Sequence, residues 1–418
     1  MPCRSSRKNQ QLSAAAPARS GHASQPERAS AARVENLTVN RLICTPILNS
    51  PSHSADLPEP RVRVLVTGHH GYIGTVLMEL LRAEGHEVTG LDTGLYAECL
   101  LGPAPAGVPE LRVDLRDVRP EHCAGFDAVC HLAALCNDPV GNLNPELTYE
   151  INHWATVRLA GAAKTAGVTR FLFSSSCSLY GAGADDQPLT ETAPFAPVTP
   201  YGESKIGAER SLIALADDDF SPVFLRNATA YGYSPRLRGD LVVNDLTGHA
   251  LLTGEVRLRS DGSAWRPLVH VQDIAGAFLA LLTAPREQVH ARAYNIGSTS
   301  ENYLIRQVAE LVSDVVVGSR ITYLGAASAD LRNYRVNCDR IAAEVPDFRP
   351  RWTLRKGIEE LVEAYQRYGL TLADLTGERY QRLHRLRALR AAGRLDSGLR
   401  WTDGPAVSGG LRWAEGVR

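Results

Sequence analysis

Residues 62–74 read Val62-Arg63-Val64-Leu65-Val66-Thr67-Gly68-His69-His70-Gly71-Tyr72-Ile73-Gly74. The apolar run is typical of a buried strand, and the glycines that follow it lead into a helical pattern. Gly68 allows a sharp turn, Gly71 lets the backbone approach a phosphate, and Gly74 lets the helix pack closely on the strand. Because the free N–H groups and the dipole of a helix N-terminus favour an anion, the stretch predicts a pyrophosphate site that includes Tyr72 and Ile73.

Strand and helix patterns alternate after this stretch. Strands are predicted at Val62–Thr67, Glu87–Leu91, Glu110–Val113, Ala128–Ala133, Arg170–Ser174 and Pro222–Leu225. Helices are predicted at Gly71–Ala83, Leu147–Ala166, Tyr201–Ala216, Asp240–Thr253, Asp273–Thr283, Tyr303–Val315 and Glu378–Ala392. Such alternation implies right-handed βαβ crossovers, so we expect an α/β fold with a Rossmann-type doubly wound parallel sheet and a smaller C-terminal substrate-binding lobe.

Composition shifts divide the chain into four parts. Residues 1–60 are rich in Ser, Ala, Arg and Pro without a sustained apolar period, which predicts a disordered N-terminal extension. A dinucleotide-binding domain is expected over 61–232, with Asp273–Thr283 returning to it, and a substrate-binding lobe over 233–365. Residues 366–418 form a tail whose basic helix is interpreted as a packing or dimer helix.

Overall composition excludes several classes of function. Of 418 residues, 44% are hydrophobic and 22% charged, as in ordinary soluble globular proteins. The net charge of −1 provides no field that would recruit nucleic acid or an acidic membrane surface, and we find no apolar run of the ~18 residues that a membrane helix needs. Eight cysteines are scattered without a CxxC pair, so we expect no metal site and a cytoplasmic location.

Polar and small residues at the strand ends extend the cofactor site. Asp92 ends the second strand, where its carboxylate can accept both hydroxyls of an adenosine ribose and would repel a 2′-phosphate, so NAD is favoured over NADP. Asp114 and Leu115, in an Asp-Leu-Arg-Asp quartet, are placed beside the adenine. Small or apolar residues after the fourth strand are expected to face the cofactor: Leu132, Ala133 and Ala134.

A tyrosine and a lysine four residues apart suggest acid–base chemistry. A tyrosine hydroxyl has an ordinary pKa of about 10, and a nearby ammonium is expected to lower it. Helical spacing places Tyr201 and Lys205 on one face. The hydroxyls of Ser174-Ser175-Ser176 follow the fifth strand, at the sheet edge where ligands bind in open α/β folds.

These motifs together resemble the extended short-chain dehydrogenase/reductase family, in particular its nucleotide-sugar epimerases and dehydratases. The resemblance covers residues 61–365 and implies that Ser176, Tyr201 and Lys205 are catalytic. It also implies that Tyr201 and Lys205 contact NAD, as does Asn152. The positions expected to bind the substrate are Ser178, Thr229, Asn244, Arg266 and Arg332, the last standing in for an arginine that the family usually carries elsewhere.

Departures from the family patterns bear on the reaction. Where the sugar dehydratases and decarboxylases carry acidic residues after the catalytic Ser or Thr, this chain has Cys177 and Ser178. We therefore expect a nucleotide-sugar 4-epimerase with tightly bound NAD. A 4-ketoreductase or dehydrogenase, a dehydratase, and a non-catalytic NAD-binding protein stay open as alternatives. The resemblance further implies a homodimer that pairs through the helices at Leu147–Ala166 and Tyr201–Ala216.

Overall fold

The computed structural model describes residues 61–181, 187–324, 332–403 and 412–413. The predicted disordered extension, 1–60, lies outside the described residues. Among the helices that are described, none is both long and apolar enough to cross a membrane.

The described residues form thirteen strands and thirteen α-helices. The strands are β1 Arg63–Thr67, β2 Glu87–Leu91, β3 Pro109–Leu111, β4 Ala128–His131, β5 Arg170–Ser176, β6 Ser221–Asn227, β7 Thr229–Tyr231, β8 Glu255–Leu258, β9 Trp265–His270, β10 Ala293–Ile296, β11 Asn302–Leu304, β12 Arg320–Tyr323 and β13 Arg412–Trp413. The helices are α1 Tyr72–Ala83, α2 Asp138–Gly141, α3 Pro145–Tyr149, α4 Ala155–Thr165, α5 Pro200–Ile213, α6 Val242–Thr253, α7 Val271–Thr283, α8 Arg286–Val289, α9 Ile305–Val315, α10 Asp339–Glu344, α11 Leu354–Arg367, α12 Leu372–Thr376 and α13 Arg382–Ala391.

The central sheet has the strand order β10-β6-β5-β4-β1-β2-β3-β13. The first seven strands in this order are parallel, and β13 pairs antiparallel with β3. Val64, Leu65 and Val66 are fully buried because helices cover both faces of the sheet. The order reverses between β1 and β4, which makes their carboxyl ends the switch point where ligands bind in a doubly wound fold. The predicted Rossmann-type fold is thus confirmed.

Two elements differ from the sequence-based expectation. The helix predicted over Leu147–Ala166 is divided, because a π-helical turn at Glu150–Trp154 separates α3 from α4. Strand β10 was expected in the smaller lobe but pairs with β6 as the outer parallel strand of the sheet. Helix α7 precedes that strand in the chain, so the chain leaves the central sheet after β6 and joins it again at β10.

A second apolar cluster lies outside the central sheet. It gathers α6, α9 and α11 with the two-stranded sheet β8–β12, through buried residues such as Leu246, Val256, Val308 and Leu361. The three-stranded sheet β11-β9-β7 is a separate element. These five elements, α6, α9, α11, β8 and β12, all lie within the 233–365 segment that was expected to form the substrate-binding lobe, except for the last residues of α11.

The basic helix predicted at Glu378–Ala392 is present as α13. Its apolar side faces the body of the protein, where Leu386 and Leu389 are buried in a cluster with Leu135, Val140 and Leu147. The helix is therefore used for packing within the chain.

Candidate active site

The glycine turn has the tight geometry that its sequence predicts. Gly68 adopts φ +75°, and a Cβ there would lie 2.7 Å from the backbone nitrogen of Ala133. A Cβ on Gly74 would lie 2.2 Å from the carbonyl oxygen of Gly68. Helix α1 begins without a side-chain cap at Gly71, which leaves backbone N–H groups at its start for an anion.

The carboxyl ends of the central strands open into one cavity of about 270 Å³. Most of the predicted site residues line it: Gly68, Gly71, Tyr72, Ile73, Gly74, Asp92, Asp114, Leu115, Leu132, Ala133, Ala134, Ser176, Ser178, Tyr201, Lys205, Thr229 and Arg332. The structure thus brings the predicted cofactor-binding and catalytic side chains to one place.

Three predicted contacts lie outside the cavity lining. The amide of Asn152 is bonded to the backbone N–H and carbonyl of Leu135, at 2.8 and 3.0 Å, so it fixes the loop after β4. The buried Asn244 accepts from the Gly232 N–H and donates to the Arg238 carbonyl, which makes it a structural residue rather than the expected substrate contact. Arg266 is also buried and donates to the carbonyl of Arg332.

The adenosine end of the cavity carries two oriented carboxylates. Asp92 accepts from the backbone N–H of His70 at 3.1 Å and of Gly94 at 2.7 Å. Burial opposes ionisation of Asp114, but the paired guanidinium of Arg116 outweighs it and holds the pKa of Asp114 below its ordinary value. Asp92 is therefore oriented as a hydrogen-bond acceptor, and Asp114 is favoured as an anion, at the strand ends.

A cluster that the sequence did not indicate lies beneath the glycine turn. His69 and His70 both contact Glu110, at 3.2 and 2.7 Å, and their hydrogen bonds hold the pKa of Glu110 well below its ordinary value. Their donor atoms are close enough together to hold a metal ion. However, Arg236 donates to Nδ1 of His70 at 2.5 Å, so Nε2 of that ring carries a proton and donates to Glu110. The contacts are those of a hydrogen-bonded network that braces the turn.

The catalytic candidates come from β5 and α5. Thr199 caps α5, accepting from the N–H of Gly202 at 3.2 Å, and this places Tyr201 in the first turn. Ser176, at the end of β5, lines the cavity with Tyr201, and its hydroxyl favours the ionised form of the Tyr201 phenol. One turn along α5, Nζ of Lys205 donates to the Ser174 carbonyl at 2.7 Å and lies 5.8 Å from the centre of the Tyr201 ring.

Burial dominates the ionisation of this group. It raises the pKa of Tyr201 well above the ordinary value and lowers the pKa of Lys205 to about 8. The sequence analysis expected Lys205 to lower the pKa of Tyr201. In the protein without bound cofactor this pKa is raised instead, because the loss of water around the phenolate outweighs the effect of the ammonium at that distance.

A buried ion pair holds the catalytic elements together. Arg226 on β6 donates to Glu209 on α5 at 2.7 Å, and the hydroxyl of Ser175 on β5 donates to the same carboxylate at 2.5 Å. Arg226 also bonds the Tyr180 hydroxyl at 3.1 Å. This network fixes the distance between Ser176 and α5.

The loop after β4 supplies a carboxylate that sequence reasoning missed. Asp138 lines the cavity, accepts from the Thr199 hydroxyl at 2.5 Å and forms an ion pair with Arg332. The sequence feature that could have indicated Asp138 is its position a few residues after Ala134, which was expected to face the cofactor. In contrast, the thiol of Cys177 is buried away from the cavity and donates to the Arg226 carbonyl at 3.1 Å.

Comparison with known proteins agrees with this site. The model of the NAD dependent epimerase/dehydratase family matches residues 64–297. A UDP-glucose 4-epimerase of Mycolicibacterium smegmatis is 29% identical over 325 residues, covering 73% of this chain and 99% of its own. UDP-glucuronic acid decarboxylase 1 of Arabidopsis thaliana is 26% identical over 313 residues, covering 73% of this chain and 70% of its own.

Solved structures of similar fold are found as well. MoeE5 in complex with UDP-glucuronic acid and NAD is 30% identical, with a TM-score of 0.64, and the match covers 73% of this chain and 99% of that one. The Thermus thermophilus UDP-glucose 4-epimerase in complex with NAD is 28% identical, with a TM-score of 0.62 and the same coverage. The glycine turn, the Ser-Tyr-Lys group and these matches converge: the chain belongs to the NAD-dependent epimerase/dehydratase family, and its cofactor is NAD.

Proposed function

We propose that this protein is a 4-epimerase of a nucleotide-linked hexose. The observation that carries the proposal is the convergence of Ser176, Tyr201 and Lys205 on the cavity that also holds the glycine turn. Arg332 lines the same cavity and is suited to an anionic part of the substrate.

The three residues divide the proton chemistry. Ser176 hydrogen-bonds the sugar 4-oxygen, and the Tyr201 phenolate removes the proton from that hydroxyl. NAD would be held by the glycine turn and Asp92, and when bound it would supply a reversible hydride acceptor for C4 and a positive charge beside the phenol. Tyr201 then gives the proton back, so the sugar is neither oxidised nor reduced overall. Lys205 stabilises the phenolate through its ammonium group.

The side chains after Ser176 favour epimerisation over dehydration. Dehydration needs a base for a carbon-bound proton, yet Cys177 is buried and Ser178 carries only a hydroxyl. Asp138 is a carboxylate within the cavity, but Thr199 and Arg332 engage it. The Asp138 carboxylate is therefore oriented as an ion-pair partner of Arg332 and not as a base for a carbon-bound proton.

The same catalytic residues would also serve a 4-ketoreductase or dehydrogenase, so one experiment must separate the two. Purified protein is incubated with UDP-, dTDP-, GDP- and CDP-hexoses without added cofactor, and the products are resolved by NMR. Interconversion of 4-epimers without NADH accumulation supports the proposal. Turnover that requires added NAD or NADH in stoichiometric amounts contradicts it.

Asp92 provides a prediction about the cofactor. Asp92→Asn keeps the shape but removes the charge, so the ratio of NAD to NADP affinity should fall roughly 10-fold. Titration of cofactor-free protein with each dinucleotide measures the ratio. Asp347→Asn, at an exposed position in the turn after α10, is the matched control and should leave the ratio unchanged. An unchanged ratio in Asp92→Asn would remove this residue from ribose recognition.

We further propose that the protein is a homodimer that pairs through α4 and α5. Trp154, at the start of α4, is 62% exposed, and Ile213, the last residue of α5, is 50% exposed. Exposed large apolar side chains on these helices fit an interface core. Trp154→Glu should weaken dimerisation roughly 100-fold, as measured by light scattering across a dilution series. Val317→Glu, at a 92% exposed position elsewhere, should not; a wild-type protein that is monomeric at all concentrations would refute the proposal.

A further inference from the structure

The C-terminal arm, residues 372–403, forms part of the wall of the cofactor cavity. It lies beyond the 64–297 region that the family model matches. Arg382 and Leu399 of the arm line the cavity together with the glycine turn. The arm is attached there by hydrogen bonds from Arg116 to the Gly398 carbonyl, at 2.9 Å, and from the indole of Trp401 to the Thr93 carbonyl, at 2.8 Å. Both attachments join the arm to loops that follow β2 and β3.

Arg382 is an unusual residue within this wall. It is only 2% exposed, and its guanidinium carbon lies 4.1 Å from the centre of the Tyr96 ring. Nη2 donates to the Arg236 carbonyl at 3.3 Å, whereas Nη1 is buried and lacks a hydrogen-bond partner among the described residues. No carboxylate in the described part of the chain forms an ion pair with it. A buried cation without a counter-ion is costly, so the site is built for an anion that comes from outside the chain.

A second buried guanidinium, that of Arg236, adds to the positive charge at this site. Arg236 is 5% exposed, and its Nε and Nη1 also lack partners within the described residues. Burial lowers the pKa of Arg236, the nearby Asp92 carboxylate opposes that shift, and the positive charge of Arg382 adds to it. By contrast, Arg238 is neutralised by Asp240, with two hydrogen bonds at 2.9 and 3.0 Å.

The position of Arg382 identifies the anion. Ser234 donates to the carbonyl of Tyr72, the first residue of α1, at 2.8 Å, and accepts from the Arg236 N–H at 3.3 Å. This short segment therefore links Arg382 to the first residue of α1, and both line the same cavity. A dinucleotide that binds there brings a pyrophosphate with two negative charges to the same point.

We propose that Arg382 would bind the NAD pyrophosphate together with the N-terminus of α1, and that the C-terminal arm closes this end of the cofactor site. The cofactor is then held between a helix N-terminus and a guanidinium from a segment outside the family core. Release of NAD requires the arm to detach from Thr93 and Arg116, so exchange of the cofactor is slow. The proposal depends on NAD binding and not on which sugar is the substrate, so failure of the epimerase assay would leave it standing.

The test separates the pyrophosphate from the nucleoside. Full-length protein freed of NAD is titrated calorimetrically with ADP-ribose and with adenosine. Arg382→Met should weaken ADP-ribose roughly 10- to 100-fold and leave adenosine within about two-fold. It should also speed the loss of bound NAD from the holoprotein by a similar factor. Arg387→Met, on an exposed position of the same helix, is the control and should change neither affinity.

Other outcomes would overturn the proposal. An equal loss of affinity for both ligands means that Arg382 only supports the fold of the cavity. Unchanged binding of ADP-ribose means that the pyrophosphate is held elsewhere. If Arg382→Met does not fold, as judged by circular dichroism, Arg382→Lys decides, because it keeps the charge and should retain most of the preference for ADP-ribose over adenosine. Loss of that preference in a folded Arg382→Lys protein would contradict a charge-based contact.

Discussion

Tyr201→Phe should lower the rate of sugar interconversion roughly 10³-fold while NAD stays bound. The substitution removes one oxygen from a ring that lines the cavity with Ser176, and Ser176 favours the ionised form of that oxygen. A ring of the same shape should keep the close packing of α5 against α2, where a Cβ added at Gly141 would lie 3.1 Å from the Tyr201 Cβ. The measurement is the rate of epimer formation by NMR, together with the NAD content of the purified variant.

A second tyrosine provides the matched control. Tyr149 on α3 donates its hydroxyl to Glu203 on α5, outside the cavity lining. Tyr149→Phe should leave the rate within about two-fold, since it removes a partly exposed hydrogen bond. Comparable losses of activity in both variants would indicate that α5 has moved, and a rate that survives Tyr201→Phe would remove this residue from proton transfer.

The local sequence pattern was sufficient to predict those strands, turns and helix faces that depend only on residues close together in the chain. The bounds of β2 match the predicted Glu87–Leu91, because a short apolar run between polar turns is compatible with few structures other than a buried strand. The glycine turn and the Tyr201–Lys205 pair were also predictable, because spacing alone sets which side chains share an edge or a helix face. Of the seventeen predicted residues that line the cavity, those of the glycine turn and the strand ends come from such local signals, whereas Ser178, Thr229 and Arg332 came from the family resemblance.

Features that depend on distant contacts were not predictable in this way. The division of the helix at Glu150–Trp154 accompanies the bond between Asn152 and the Leu135 backbone, which brings together residues from separate elements. The sequence analysis singled out no arginine of α13, yet Arg382 is buried against the Tyr96 ring. Likewise, the direction of the Tyr201 pKa shift depends on burial, and burial is decided only when the whole cavity is formed.

Lys205→Met should have opposite effects on activity and on stability. Activity should fall roughly 100-fold, because the ammonium that stabilises the Tyr201 phenolate is lost. The cofactor-free protein should nevertheless become more stable at pH 7. Burial lowers the pKa of Lys205 from 10.5 to about 8, so the folded protein at neutral pH carries a charge whose burial costs about 3 kcal/mol. The hydrogen bond to the Ser174 carbonyl offsets about 1 kcal/mol of that cost.

The pH dependence makes this prediction specific. Between pH 8 and 10.5 the unfolded chain still holds a proton on Lys205 that the folded chain has released, so the free energy of unfolding contributed by this residue rises with pH. The advantage of Lys205→Met should therefore be largest below pH 8 and shrink as the pH approaches 10.5. Thermal unfolding across that range measures it, with Lys356→Met as an exposed control that should change nothing. A variant less stable than wild type at pH 7 would mean that the folded site already compensates the ammonium, and that the lysine is retained for stability as well as for its charge beside the phenol.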